Sequence, residues 1–257
     1  MAVGIALGGG ALLTLFTVKF TFLIYMGAVV LMALLELSRA LRVRDIRLPL
    51  VPLVAGGAAM LALAYLRGER PLVAALAITA IVVLGWRLSG GSDGYLRDTT
   101  ASFFTLLYLL LPAAFVGLML APPDGSRRTV VFLILVVCSD VGGYLVGVLL
   151  GRHPMVPRIS PKKTWEGFGG SVLACLAAGA ITMTALLHGA WWQGLIVGAA
   201  AALAAIVGDL AESMIKRDLQ IKDMGTILPG HGGILDRLDS LLITAPVVWL
   251  LLLLFLG

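Results

Sequence analysis

The chain is a succession of apolar runs separated by short polar interruptions. Nine runs stand out, at roughly 3–18, 20–38, 49–66, 71–86, 100–121, 129–150, 171–188, 191–209 and 238–256. Crossing the ~30 Å hydrocarbon core of a bilayer takes about 17–25 helical residues, and the runs are close to that length. None alternates with the period of two that a lipid-facing barrel strand needs. In lipid every backbone N–H and C=O must be bonded within its own segment, which leaves helices. The pattern predicts an all-α, polytopic integral membrane protein with about nine transmembrane helices. The first two runs nearly meet at Lys19, and the glycines at 8–10 weaken the first as a helix. No basic segment precedes residues 1–18, so they read as a membrane helix rather than a secretory signal.

Composition agrees. Of 257 residues, 60% are hydrophobic and 13% charged, with a mean hydropathy of +1.04. Soluble domains carry about 25% charged residues. One helical bundle is expected rather than two soluble domains. The net charge of +5 reports topology and anionic head groups in such a protein, not nucleic acid. Cys138 and Cys175 lie inside apolar runs and read as buried, inert thiols.

Charge then sets orientation. Alternate loops hold Arg39, Arg42, Arg44, Arg47, Arg87, Arg97, Arg152, Arg158, Lys162, Lys163, Lys216, Arg217, Lys222 and Arg237. The other loops hold Lys19, Arg67, Arg70, Arg127 and Arg128. The positive-inside rule puts the larger set in the cytoplasm. The N-terminus is then inside and, after nine crossings, the C-terminus outside. We divide the chain into N-terminal helices (1–137) and a C-terminal region (138–257). The latter carries the two long cytoplasmic loops, 151–170 and 210–237, where most unusual polar residues fall.

Four stretches carry candidate chemistry. In "GDLAESMIKR" (208–217), Asp209, Glu212, Ser213 and Lys216 share one helical face, with Arg217 on its flank. A solvated helix end with ordinary ion pairs is the plain alternative. Asp140 sits mid-run in "LVVCSDVGGYLVG", where a carboxylate costs about 2.5–3.5 kcal/mol to insert. It needs a partner or a wet cavity: an arginine pair, or a metal or substrate site. In "RHPMVPRISPKKTWEGFGG" (152–170), three prolines block a continuous helix. Lys162 and Lys163 there offer point charges for phosphate. Gly167, Gly169 and Gly170 allow close backbone approach to a ligand. A topological loop with a basic membrane-facing patch is the alternative. "PGHGG" (229–233) can cradle an anion and leads into Asp236, Arg237 and Asp239 near an expected helix start. Acidic residues in a first helical turn are also common as caps. Carboxylates hold Mg²⁺, while lysines, arginines and glycine N–H groups hold phosphates. Phosphoryl or nucleotidyl transfer needs both.

Residues 213–239 resemble a signature of this type. Ser213, Lys216-Arg217, Lys222-Asp223, Gly225, Leu228-Pro229, His231-Gly232-Gly233, Asp236-Arg237 and Asp239 fill the pattern of the phosphatidate cytidylyltransferases, the CDP-diacylglycerol synthases. "CSDVGGY" (138–144), "SPKKTWEG" (160–167) and "GDLAES" (208–213) resemble that family in the expected order. The resemblance is strong over roughly 138–240. Residues 1–137 share only apolar helices and a Glu36-type helix end.

The resemblance implies a membrane enzyme that joins CTP and phosphatidic acid to give CDP-diacylglycerol and pyrophosphate. It implies Mg²⁺, with K⁺ as an optional second cation. Asp209 and Asp236 are the best metal candidates, followed by Asp140 and Asp239. Asp209, Asp236, Lys216, Arg237 and His231 form the expected catalytic set. Ser160, Lys162, Lys163, Lys216, Arg217, Lys222, Gly232 and Gly233 form the expected substrate-binding set. A phosphatidate oxygen is already ionised near neutral pH, so His231 is expected to bind phosphate rather than act as an essential base. The bilayer is a partner, no nucleic acid is expected, and a homodimer is carried as an open expectation. A bacterial inner membrane is the expected location. The rival readings are an ion-coupled transporter and a cytidylyltransferase for a non-diacyl lipid phosphate.

Overall fold

The computed structural model describes residues 2–157, 159–225 and 232–257, and the side chains of 2–7, 12 and 16 lie outside that description. Ten α-helices appear among the described residues: α1 (Ala2–Thr17), α2 (Lys19–Leu41), α3 (Leu50–Arg67), α4 (Glu69–Leu88), α5 (Tyr95–Thr105), α6 (Leu111–Leu120), α7 (Gly125–Leu150), α8 (Trp165–Leu187), α9 (Trp191–Leu219) and α10 (Asp239–Leu256). A π turn at Leu106–Leu110 joins α5 to α6 into one span. Pro112 lies just beyond it; a proline cannot donate to the preceding turn, and widening the helix relieves that defect.

The expected all-α membrane architecture is present. Among the described residues, eight spans are long and apolar enough to cross a membrane, against about nine expected. The difference is α1. Its 16 residues reach about 24 Å at ~1.5 Å per residue, short of a ~30 Å core. Two helices run well past their apolar runs, by six residues or more at one end. Helix α8 starts at Trp165 because the Thr164 Oγ1 accepts the Gly167 N–H at 3.1 Å as an N-cap. Helix α9 runs on to Leu219, so the first part of the expected 210–237 loop is helical. The Pro-rich 152–164 segment also holds an unexpected antiparallel hairpin, β1 (Pro154–Val156) with β2 (Ser160–Thr164).

The chain forms two compact units: residues 1–126 with 219–237, and residues 127–218 with 238–257. In the first, Lys19 Nζ donates to the carbonyls of Pro122 and Pro123, tying the start of α2 to the end of α6. Gly68 (φ +81°) makes the turn between α3 and α4, a conformation that suits glycine. Gly56 lies against Thr79 across those two helices, and a Cβ at Gly117 would approach the Leu61 carbonyl to 3.0 Å. Leu53, Met60, Ala64, Leu109 and Ala114 fill the core. Asp98 on α5, only 1% exposed, takes an ion pair from Arg87 at 3.0 Å and hydrogen bonds from Arg97 Nε at 3.2 Å and Arg47 N–H at 3.1 Å.

In the second unit small residues set the helix spacing. Gly167 and Gly170 of α8 lie on Gly143, Gly142 and Val146 of α7. Their missing side chains thus admit a neighbouring helix; of the three glycines read as ligand-facing, only Gly169 has open space. Gly179 of α8 meets Gly194 of α9 backbone to backbone, and Gly198 meets the Cys175 carbonyl. Such seams suit a bilayer, where no hydrophobic effect drives helices together and close van der Waals contact must. Ser139 and Ser171 share a 2.5 Å hydrogen bond across α7 and α8, and the Cys175 thiol donates to the Leu135 carbonyl at 3.3 Å. Both cysteines are free, with Cys175 buried and Cys138 half-buried.

Candidate active site

The second unit holds a cluster at the end of α9. The 3–4 spacing along that helix places Asp209, Glu212 and Lys216 on one face, as expected. Lys216 Nζ donates to Glu212 Oε2 at 2.5 Å. Glu212 is 1% exposed, so this is not a solvated helix end. Strand β2 brings Lys163 Nζ to 2.5 Å from Asp209 Oδ2, with side-chain exposures of 19% and 41%. Arg217 Nε donates to the Ile159 carbonyl in the hairpin turn at 3.3 Å. Gly208 packs on the Asp239 backbone where α10 begins. Asp239 Oδ1 accepts the Ser240 N–H at 2.7 Å. This unit therefore gathers Lys163, Asp209, Glu212, Lys216 and Asp239. Lys162 is exposed and Ser160 half-buried on the same β2 strand. Asp140 lies exposed on α7 beside Val137, Val141 and Tyr144, not enclosed among helices.

The first unit holds the rest of the motif. Asp236 begins no long helix; it sits in a 3₁₀ turn at Leu235–Arg237, and α10 starts two residues later. Its Oδ2 accepts the N–H groups of Met224 at 3.0 Å and Gly233 at 2.7 Å. Gly232 adopts φ +79°, with Asp223 and Asp236 beside it. The space beside Gly233 is taken by Glu36 of α2. Lys222 and Arg237 are exposed. His231, with the rest of 226–231, lies outside the described residues, as does Arg158.

The donor set suits a hard cation without amounting to a full cage. Among the described residues no three His, Cys, Asp or Glu side chains form a metal-sized group. Mg²⁺ is commonly held by only one or two carboxylates, with substrate phosphates and waters completing the shell. Asp209 and Asp239 lie in one unit and could offer such a pair, Gly208 next to Asp209 packing on the Asp239 backbone.

The profile of the cytidylyltransferase family matches residues 1–255. The chain belongs to that family. As a cytidylyltransferase-family member it has extensive relatives. It is 38% identical to the phosphatidate cytidylyltransferase of Mycobacterium leprae, over 98% of this chain and 86% of the relative. It is 39% identical to that of Mycobacterium tuberculosis H37Rv, over 98% and 81%. Staphylococcus epidermidis ATCC 12228 has a protein of the same name, 31% identical over 86% and 87%. Family membership decides between enzyme and transporter in favour of the enzyme.

Sequence reasoning passed over Glu36 as a helix end. A signal was present: a carboxylate inside the second apolar run, the same anomaly that marked Asp140. Asp98, with its arginine partners, was likewise not singled out, because its neighbours come from separate loops.

Proposed function

We propose that this protein is a phosphatidate cytidylyltransferase, which joins CTP and phosphatidic acid to give CDP-diacylglycerol and pyrophosphate. The observation that carries the reading is the complete polar signature at 213–239 in a membrane-spanning chain of the cytidylyltransferase family. Relatives bearing the phosphatidate cytidylyltransferase name align over nearly the whole chain. A phosphatidate phosphate oxygen attacks the α-phosphorus of CTP in line. The new P–O bond forms as the bond to the β-phosphate bridge breaks, and pyrophosphate departs. No strong base is required, because the nucleophile is already ionised.

Lys163, Lys216 and Arg217 hold phosphate in the second unit, and Lys162 extends the same β2 edge. Phosphate entry exchanges the Lys163–Asp209 contact for Lys163–phosphate. Lys222 and Arg237 are the corresponding basic residues of the first unit. Mg²⁺, when bound, neutralises charge on the phosphates; Asp209 and Asp239 would hold it, and the motif also nominates Asp236. K⁺ as a second cation and a homodimer belong to the same proposal. So does an inner-membrane location with the basic loops facing the cytoplasm, supported by the charge asymmetry and the bacterial relatives.

The deciding assay uses purified protein, labelled CTP and phosphatidate, with and without Mg²⁺. A lipid-soluble cytidine product that requires phosphatidate is expected. Its absence across a range of acyl chains and cations overturns the reading.

A further inference from the structure

The segment after α9 leaves the helix at Leu219 and returns through Asp236, and two carboxylates meet its described arms. One is internal: Asp236 Oδ2 bonds Met224 N–H on the outgoing arm and Gly233 N–H on the returning arm. The other comes from far away in sequence. Glu36 of α2 is 1% exposed, and its Oε2 accepts the Leu235 N–H at 2.9 Å, across 199 positions. Its Oε1 is buried with no hydrogen-bond partner among the described residues.

The glycines of both arms are fitted to this carboxylate. A Cβ at Gly233 would stand 2.5 Å from Glu36 Oε2 and 2.8 Å from the Gly225 nitrogen. A Cβ at Gly225 would strike Glu36 Oε1 and approach its Cγ to 2.7 Å. Neither glycine has positive φ. What each requires is space for Glu36, not backbone freedom. A buried carboxylate is costly in an apolar bundle and is retained only where its bonds are made. Here the bond is to the loop itself.

We infer that Glu36 is a positioning residue: it docks the base of the 222–237 loop onto α2 and so fixes where Lys222, Asp223, Asp236 and Arg237 stand. The consequence for turnover rests on the proposed function; the docking itself does not. Misplacement of a reacting group by about 1 Å can cost about a hundredfold in rate, so a loose loop is felt as lost turnover.

The test follows amide hydrogen exchange and CTP turnover together, in full-length protein in lipid nanodiscs, for wild type, Glu36→Ala and Glu36→Gln. Glutamine keeps the shape and one acceptor oxygen. Glu36→Ala is expected to speed exchange at 224–225 and 232–236 by about tenfold or more while α3 and α4 keep wild-type protection. Turnover is expected to fall about tenfold or more, with the KM for CTP changing less than about threefold. Glu36→Gln is expected to restore loop protection and most of the turnover. Unchanged loop exchange in Glu36→Ala overturns the proposal, and so does glutamine as damaging as alanine. Where Glu36→Ala loosens the whole first unit, Glu36→Asp decides instead. One methylene shorter, it withdraws from Leu235 and must speed exchange in the loop alone; a fully protected loop overturns the proposal. A wild-type protein that makes no lipid-soluble cytidine product refutes the proposed function, and the exchange data still judge Glu36.

Discussion

Lys163 and Asp209 touch in this structure, yet in the proposed reaction they serve opposite charges. Asp209 is half-exposed on a regular helix. Asp209→Asn should therefore insert and unfold like the wild type, while turnover falls roughly a hundredfold or more, as for loss of one preorganised charge partner. Product formation against Mg²⁺ concentration checks this; wild-type turnover at every concentration refutes the metal assignment. Glu212 and Lys216 behave differently. Removing Lys216 leaves a buried carboxylate without its closest cation. Breaking a fully buried pair costs about 3–5 kcal/mol, and because Lys216 is partly exposed the loss sits at or below the low end of that range. Lys216→Met should lower the melting temperature by several degrees, while Glu212→Gln should lower it much less. The Asp209–Glu212–Lys216 face was legible, because a helix repeats every 3.6 residues and local spacing reports it. Glu36 was not. Its partner is an amide 199 positions away, and spacing is silent about such distances. The same gap explains Gly233: a glycine read as room for a ligand is room for a carboxylate on another helix.

At the scale of elements, apolar runs located every span because lipid demands continuous hydrophobic length. They misplaced ends. The first turn of α8 and the polar last turns of α9 lie outside the runs; the Thr164 cap sets where α8 begins, and the i,i+4 Glu212–Lys216 pair supports the last turns of α9. The 154–164 hairpin was hidden for a related reason: its prolines ruled out helix but did not say what replaces it. The glycine seams give the sharpest test at this scale. A Cβ at Gly194 collides with the Gly179 carbonyl, which is backbone and cannot rotate away. Gly194→Ala should destabilise by about 1–3 kcal/mol, the usual cost of overpacking. Gly85, which faces open space, is the control: Gly85→Ala should leave the melting temperature unchanged or slightly raised, since alanine favours helix. Equal melting curves for the two variants would contradict the seam.

At the scale of the molecule, the signature that names the family is shared between two units. Residues 213–218 and 238–239 belong to the second, and 219–237 to the first. A linear pattern reads as one motif, whereas the fold divides its residues by place: Asp209, Glu212, Lys216 and Asp239 on α9 and α10 in one unit, Asp236 and Gly233 with Glu36 of α2 in the other. The division was not legible because only long-range packing creates it. Orientation is tested at this scale. In a background with Cys138 and Cys175 replaced by alanine, single cysteines at Ser92 and Pro123, both exposed, should label from opposite faces of inside-out vesicles. Ser92→Cys should react from the cytoplasmic side and Pro123→Cys from the other. Labelling of both from one side would refute the positive-inside assignment.

The seam between α8 and α9 also bears on the order of events during synthesis. Only three residues, His188 to Ala190, separate the helices, and the Gly189 N–H caps α8 on the Met183 carbonyl. The two helices emerge from the ribosome one after the other and need close only a minimal loop to meet. Contacts of such short sequence separation form fast. The α8–α9 hairpin is thus poised to pair before α10, whose Asp239 backbone packs on Gly208 of α9.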